Sequence, residues 1–336
     1  MSQQTVEQGF TIMNEAIDLL KKAIGVSFLD SYIETGENFL DGQTVRVLDG
    51  VPNKDHVQKL ECAYKKFQAL SFSKEELRKV FQLVLLKGMK QEYVQPNHQL
   101  TPDALGFLFV YLIEQLKKKT QTELSILDIA VGSGNLLLTV LLNLELAGTT
   151  VKGIGVDIDD TLLSVAAVNT QWTKASVQLF HQDGLQPLLV DPVDFAISDL
   201  PVGFYPNQDK AANFQVFSEL ENTYAHHLLM EQSMKYVKDG GYGIFLVPEN
   251  LFETSQEESL KKWLRSSVYV QAVLKLPNNL FKTKQSRKSI LVVQNQGSGS
   301  CQAKEVLLAE LPSLQDPKAL QAFFAKFSSW KKQYLD

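Results

Sequence analysis

The stretch Leu124-Ser-Ile-Leu-Asp-Ile-Ala-Val-Gly-Ser-Gly-Asn-Leu-Leu-Leu138 constrains the fold more than any other part of the chain. A short apolar run from Ile126 to Ile129 is broken only by Asp128 and ends in a Gly132-x-Gly134 turn. Beyond it Leu136, Leu137, Val140, Leu141 and Leu144 recur at helical spacing. The pattern reads strand, glycine turn, helix. At the carboxyl end of a strand in an open α/β sheet, glycines let the backbone approach a ligand closely. A second strand, Val151-Lys-Gly-Ile-Gly-Val-Asp157, ends in an acid about two dozen residues further on, where a carboxylate can bind both ribose hydroxyls. The pair points to a nucleotide-like ligand.

A dinucleotide site wants a third glycine and a helix N-terminus open to pyrophosphate. Here the third position is Leu137 and a carboxylate, Asp128, stands before the loop. That carboxylate repels phosphate and attracts a cation. It favours S-adenosylmethionine, which carries an ammonium and a sulfonium on a ribose with both hydroxyls free, over a nicotinamide cofactor.

A chain of 336 residues with 44% hydrophobic content is long enough for one large domain and a smaller one. No apolar run approaches a membrane span, and the first residues lack the basic and apolar regions of a signal peptide. Cys62 and Cys301 are isolated, without metal-ligand spacing, and read as buried thiols in a reducing cytoplasm. His226 and His227 are adjacent and so point to different faces of a helix, and His98 has no second ligand beside it; no metal site is expected. The net charge of −5 argues against a surface coated for nucleic acid. Yet residues 261–304 carry nine basic side chains and no acid, leaving −14 to the remainder, and such a segment can supply a local patch for a polyanion.

Residues 1–95 read as helices. Phe10, Met13, Ile17, Leu20 and Ile24 form one stripe, and Leu60, Tyr64, Phe67 and Leu70 another. Ser73-Lys-Glu-Glu76 is a capping box ahead of Leu77, Val80, Phe81, Val84 and Leu85. This N-terminal domain is expected to pack on the rest or to pair two subunits, giving a monomer or a homodimer. Thr101 reads as the N-cap, and Pro102 as the first residue, of a helix carrying Leu105, Leu108, Leu112, Ile113 and Leu116. After Asp157 come a helix over 160–172, a strand over 177–181 ending in Gln182-Asp183-Gly184, and a strand over 194–198. That strand runs into Asp199-Leu-Pro-Val-Gly-Phe-Tyr-Pro206, a rigid lip with exposed carbonyls. A helix with His226, Leu229, Met230, Met234 and Val237 at burial spacing follows, closed by Asp239-Gly-Gly241. Next come a strand over 242–248, a helix over 255–264, and strands over 268–276 and 289–294 around a basic loop, 277–288. Gly297-Ser-Gly-Ser300 reads as a flexible joint and 317–334 as an amphipathic tail helix. The expected division is a helical domain over 1–95, an α/β domain over 96–298 and a tail helix packing on the core over 299–336.

With these residues placed, the chain resembles the class I S-adenosylmethionine-dependent methyltransferases. It is most similar to the adenine-N6 DNA methylases of type I restriction-modification systems and, among them, the stand-alone YtxK-like proteins. The resemblance runs from about residue 99 to 296. It rests on Leu100-Thr-Pro102, Asp128-Ile-Ala-Val-Gly-Ser-Gly134, Asp157, Asp183-Gly184, Asp199-Leu-Pro201, Gly240 to Pro248 with Asn250-Leu-Phe252, and Leu276-Pro-Asn-Asn-Leu-Phe281. It implies a doubly wound, mostly parallel, seven-stranded Rossmann-like sheet with an N-terminal all-helical domain.

The resemblance also implies site roles. Thr101 and Pro102 lie near the methionine moiety of the cofactor, and Asp128, Ala130, Gly132, Gly134 and Asn135 line the loop beneath it. Asp157, with Ile158 beside it, holds the ribose, and Asp183 with Gly184 meets the adenine amino group. Asp199, Leu200, Pro201 and Tyr205 form the catalytic lip. Phe204 faces the acceptor base. Apart from the resemblance, the basic segment offers Lys282, Lys284, Arg287 and Lys288 as candidates to hold phosphates of DNA or RNA. Leu200 stands where the family has a first proline, and Val202 where it has the aromatic that stacks on a flipped base; Phe204 or Tyr205 is the substitute at hand. Three other readings remain open: methylation of a protein amide or small molecule, a cofactor-binding interaction module without turnover, and a nicotinamide oxidoreductase.

Overall fold

The computed structural model describes residues 3–92 and 95–335. Helices α1 (Gln3–Ile24), α2 (Phe28–Leu40), α3 (Lys54–Gln68) and α4 (Lys74–Gln91) come first. Ser27 and Asn53 cap α2 and α3 through their side chains, and Ser73 forms the full capping box with Glu76. Helix α2 has no counterpart among the sequence stripes. Its buried face mixes Phe28 and Tyr32 with Ser31, Thr35, Gly36 and Asn38, which hides the apolar period.

The α/β part follows as α5 (Asp103–Leu116), β1 (Glu123–Asp128), α6 (Asn135–Leu146), β2 (Thr150–Asp157), α7 (Asp160–Thr173), β3 (Val177–His181) and β4 (Val193–Asp199). After these come α8 (Gln208–Ala211), α9 (Ala225–Lys235), β5 (Val237–Pro248), α10 (Glu257–Ser267), β6 (Val268–Lys275), β7 (Lys288–Asn295), β8 (Leu307–Glu310) and α11 (Pro317–Tyr334). The strands form one sheet in the order β3-β2-β1-β4-β5-β7-β6-β8. β7 pairs antiparallel with both neighbours, and the other pairings are parallel.

The sheet has eight strands where seven were expected. β8 is a four-residue edge strand whose outward Leu308 is 75% exposed, too short to show a period. Two further differences are local. Asp239-Gly240-Gly241 does not close α9 but lies inside β5, at a register shift against β4, so Val237 is a strand residue. Residues 297–300 form a turn closed by the Ser300 hydroxyl on the Asn295 and Gly297 carbonyls rather than a free joint. Both cysteines are exposed, contrary to the buried thiols expected.

Neighbouring residues of each central strand face opposite layers, as the pleat requires. Ile126, Ile197, Leu246 and Val292 pack under α5, α6 and α11, with Leu112, Val140, Phe327 and Trp330. Leu127, Ala196, Phe245 and Leu291 pack under α9 and α10, with Met230, Leu260 and Trp263. The N-terminal helices share a core with α7: Val165, Val168 and Trp172 are buried among Met13, Ile17, Phe28, Phe81 and Val84. Trp172 lies 4.1 Å from the Phe81 ring and donates its indole N–H to the Gly36 carbonyl.

A second tie is ionic. The Arg78 guanidinium, 2% exposed, meets Glu75 at 2.6 and 2.7 Å and Asp103 at 2.9 and 3.1 Å, two forked pairs on one cation. Asp103 is the first residue of α5, so this cluster fixes that helix to α4. Removing one partner from a buried pair strands the other charge. Arg78→Met is expected to lower stability by about 3–5 kcal/mol in urea denaturation. A triple variant with apolar residues of similar size at 75, 78 and 103 should recover most of that loss. Equal losses in the single and triple variants would show that packing rather than charge sets the cost.

Candidate active site

Three carboxylates, Asp128, Asp157 and Asp199, close β1, β2 and β4 at one edge of the sheet, and Asp183 follows β3 at the same edge. This is the ligand-binding edge of a doubly wound sheet. The turn after β1 is built on left-handed backbone at Gly132 (φ 52°) and Gly134 (φ 80°), the latter being the N-cap of α6. A Cβ at residue 134 would also lie 3.2 Å from the Ala166 methyl. The turn directs the Gly132 N–H onto Asp157 Oδ2 at 2.6 Å, while the Asp159 N–H meets Oδ1 at 2.9 Å.

Asp128 is 1% exposed and accepts from the Ser198 hydroxyl at 2.8 Å and the Ala130 N–H at 3.2 Å. Burial pushes its carboxyl up to about 7 against these two hydrogen bonds, and the charges of Asp157 and Asp199 push the same way. Burial also raises Asp157, in spite of its amide partners. Acids held in this condition favour a cationic ligand.

Asp199 is gripped from two sides. The Thr101 hydroxyl donates to Oδ2 at 2.8 Å, and Lys288 Nζ forms an ion pair with Oδ1. The same Nζ lies 3.4 Å from the Leu200 carbonyl oxygen. Thr101 is therefore not the N-cap expected. Helix α5 begins at Asp103 with Pro102 as its N-cap, and the Thr101 side chain is drawn away to Asp199. Its carbonyl accepts from Asn135 Nδ2 at 2.6 Å, joining the start of α6 to the same point. Lys288 correspondingly stands apart from the other cations expected to meet phosphates. Lys282 and Lys284 are exposed on the loop, and Arg287 lies 3.9 Å from Glu249, but Lys288 turns inward to the carboxylate.

The lip beyond Asp199 is firmly held. The Leu200 side chain is fully buried and Pro201 is half-buried. Asn97 clamps Val202 twice, accepting from its N–H at 3.2 Å and donating to its carbonyl at 3.1 Å. The Tyr205 N–H donates to the Thr223 carbonyl and the Ala225 N–H to the Gly203 carbonyl. Between these bonds Phe204, 51% exposed, stacks on Tyr224 with ring centroids 4.7 Å apart and planes 13° from parallel. An aromatic surface thus stands two residues beyond the valine.

Asp183 already has three partners. It accepts from the Tyr205 hydroxyl at 2.6 Å, the Leu185 N–H at 3.0 Å and Lys210 Nζ at 3.2 Å. Burial opposes its charge, but these partners together hold it below the usual carboxylate range. Tyr205 accordingly braces Asp183. Gly184 serves packing: a Cβ there would meet the Ile129 carbonyl at 3.0 Å. Ile158 is 68% exposed on the rim beside Asp157.

His226 and His227 are buried, and burial lowers them to about 4 and about 3, with the Lys288 charge adding to the shift at His226. Among the described residues no group of His, Cys, Asp or Glu is arranged to hold a metal ion. Asn97, Ser198, Lys210 and Tyr224 were not picked out from the sequence. Asn97 and Ser198 sit beside recognised motifs, whereas Lys210 and Tyr224 carry no local signal.

The sheet, with its one antiparallel strand and its acids at the parallel strand ends, is that of a class I methyltransferase. Residues 77–323 match the N-6 DNA Methylase family model, and residues 7–89 match the YtxK N-terminal helical domain. The chain therefore belongs to the N-6 DNA methylase family, in its YtxK-like branch. It is 39% identical over 333 residues, 99% of each chain, to YtxK of Bacillus subtilis. A Listeria monocytogenes crystal structure assigned to the class I S-adenosylmethionine-dependent methyltransferases is 40% identical, with a TM-score of 0.90 over 98% of this chain and 99% of that one. The methyltransferase subunit of a Streptococcus thermophilus type I restriction-modification system shares the fold at 15% identity, with a TM-score of 0.66 over 96% of this chain and 74% of that one.

The raised Asp128 sets a sign for the pH dependence of stability. Between the ordinary value of 3.8 and about 7 the folded state keeps a proton that the unfolded chain releases, so stability falls as pH rises through this window. The loss attributable to Asp128 is up to about 4 kcal/mol, and Asp157 acts in the same direction. Urea denaturation across this range is expected to show a shallower decline for Asp128→Asn than for the wild type. Parallel slopes would mean that Asp128 is already ionised in the folded protein.

Proposed function

We propose that the chain binds S-adenosylmethionine and methylates an exocyclic amine of a nucleic-acid base, of the adenine-N6 kind. The observation that carries this reading is the pair formed by Asp199 Oδ1 and the Leu200 carbonyl. Both already hold one nitrogen group, Lys288 Nζ. An aromatic amine is a poor nucleophile because its lone pair is delocalised into the ring. Two acceptors on its two hydrogens localise that pair and aim it. Thr101 keeps the Asp199 carboxylate in place for this task from its other oxygen.

The remaining residues fit the cofactor. Asp128 is a buried acid whose ionised form needs a positive partner, and Asp157 stands at the strand end from which an acid reaches ribose hydroxyls. When bound, S-adenosylmethionine supplies a methyl carbon on a positively charged sulfur leaving group. Asp183 contributes by bracing Tyr205 and the lip. Phe204, backed by Tyr224, offers a stacking face to a base, and Lys282, Lys284 and Arg287 form a basic rim for phosphates. Membership of the N-6 DNA methylase family supports the same acceptor class. A second reading, a cofactor-binding interaction module without turnover, is favoured by Leu200 and Val202 in the lip.

Ligand stabilisation separates these readings. At a hundredfold excess over its dissociation constant, a ligand stabilises by about 2.7 kcal/mol, a rise of a few degrees in Tm. S-adenosylmethionine and S-adenosylhomocysteine are expected to give this shift and NAD none; a shift with NAD alone would overturn the assignment. Asp199→Ala is expected to lower transfer of labelled methyl to DNA or RNA by roughly 10²–10³-fold while leaving S-adenosylhomocysteine affinity intact. Transfer at the wild-type rate in that variant would sink the mechanism. Undetectable transfer by a wild-type protein that binds both adenosyl ligands would favour the interaction module.

A further inference from the structure

Lys288 touches the two oxygens that the proposed mechanism reserves for the acceptor amine: Asp199 Oδ1, as an ion pair, and the Leu200 carbonyl, at 3.4 Å. An incoming amine has to move it. The Lys288 and Asp199 side chains are each only 23% exposed, so the pair is largely withdrawn from water. A neutral acceptor satisfies Asp199 with its amine hydrogens but leaves the ammonium without a partner, which is costly in a partly dry site. The acid that follows β5, Glu249, offers no vacancy, since Lys275 holds it at 2.6 Å and Arg287 lies 3.9 Å away.

An anion arriving with the amine removes this cost. Lys288 is the first residue of β7, directly after the basic loop with Lys282, Lys284 and Arg287. Its ammonium rides on a flexible four-carbon stem and can swing toward that rim. A phosphate there draws the ammonium off Asp199 as the base amine enters.

Resting on the methyltransferase reading above, we infer that Lys288 determines specificity. Seated in the amine's place, it admits acceptors whose amine comes with a phosphodiester and excludes neutral nucleosides and amides. The phosphodiester can belong to DNA or RNA.

Calorimetric titration in saturating S-adenosylhomocysteine tests this with wild type, Lys288→Met and Lys288→Arg. The probes are adenosine, a short single-stranded deoxyadenylate oligonucleotide and its ribo counterpart. The wild type is expected to bind one of the oligonucleotides at least about tenfold more tightly than adenosine, and the tighter one identifies the source of the phosphodiester. Lys288→Met should bind adenosine about tenfold more tightly than the wild type does and lose most of the discrimination. Lys288→Arg, which keeps a cation, should keep it. Unchanged S-adenosylhomocysteine affinity in each variant reports an intact fold. Equal adenosine affinities in wild type and Lys288→Met, with that ligand bound, overturn the role of Lys288 alone. Failure of the wild type to bind S-adenosylhomocysteine overturns the methyltransferase reading and this inference with it.

Discussion

The site depends on one buried cation. Arg78, on α4, holds Asp103 in a forked pair, and Asp103 begins α5 two residues after Thr101. Thr101 in turn holds Asp199 through its hydroxyl and Asn135 through its carbonyl. The path from α4 to the central carboxylate is thus a short series of directed polar contacts, each with a single good geometry. Buried ion pairs contribute little net stability beside apolar packing of the same volume, and their better-attested role is to fix register. Here the register fixed is that of α5 against α4 and α6. The N-terminal helices therefore act as a frame for the α/β part.

The strand ends carry the opposite character. Asp128 and Asp157 stand where burial disfavours charge, and Asp128 also meets the like charges of Asp157 and Asp199. A fold optimised for its own stability would not place acids in this way. Local destabilisation of this kind is common where a ligand completes the structure. The electrostatic need at Asp128 and the geometric preparation of Asp199 lie at neighbouring strands, joined by the Ser198 hydroxyl one residue before Asp199.

Much of this was legible in the sequence because it is local. The strand, glycine turn and helix around Gly132 announce themselves by period and by glycine, and Ser73 to Glu76 is a cap whose partners lie three residues apart. The tail helix over Pro317–Tyr334 follows from its apolar spacing in the same way. What escaped is non-local or masked. Helix α2 hides its period by burying polar residues, and β8 is too short to have one. Thr101 has the composition of an N-cap, but a carboxylate 98 residues away competes for its hydroxyl and wins. Lys288 looked like one more member of a basic run, and only the sheet order brings it against Asp199. Local rules predict what a side chain can do; the tertiary partner decides which option is taken.

The reversed direction of β7 has a consequence for how such a protein diversifies. In a wholly parallel sheet every chain segment entering a strand does so at the far edge from the ligand. Because β7 runs the other way, the segment that feeds it, residues 276–287, arrives at the ligand edge and delivers Lys288 there. That segment lies outside the regular strands and is largely exposed, so its length and composition can change without disturbing the hydrogen-bonded sheet. The fold therefore builds one wall of its site from a chain segment other than the turns that follow the parallel strands, and Lys288 at its end reaches Asp199. Substitutions on that wall can alter what surrounds Asp199 while the glycine turn at Gly132 and Gly134 stays unchanged.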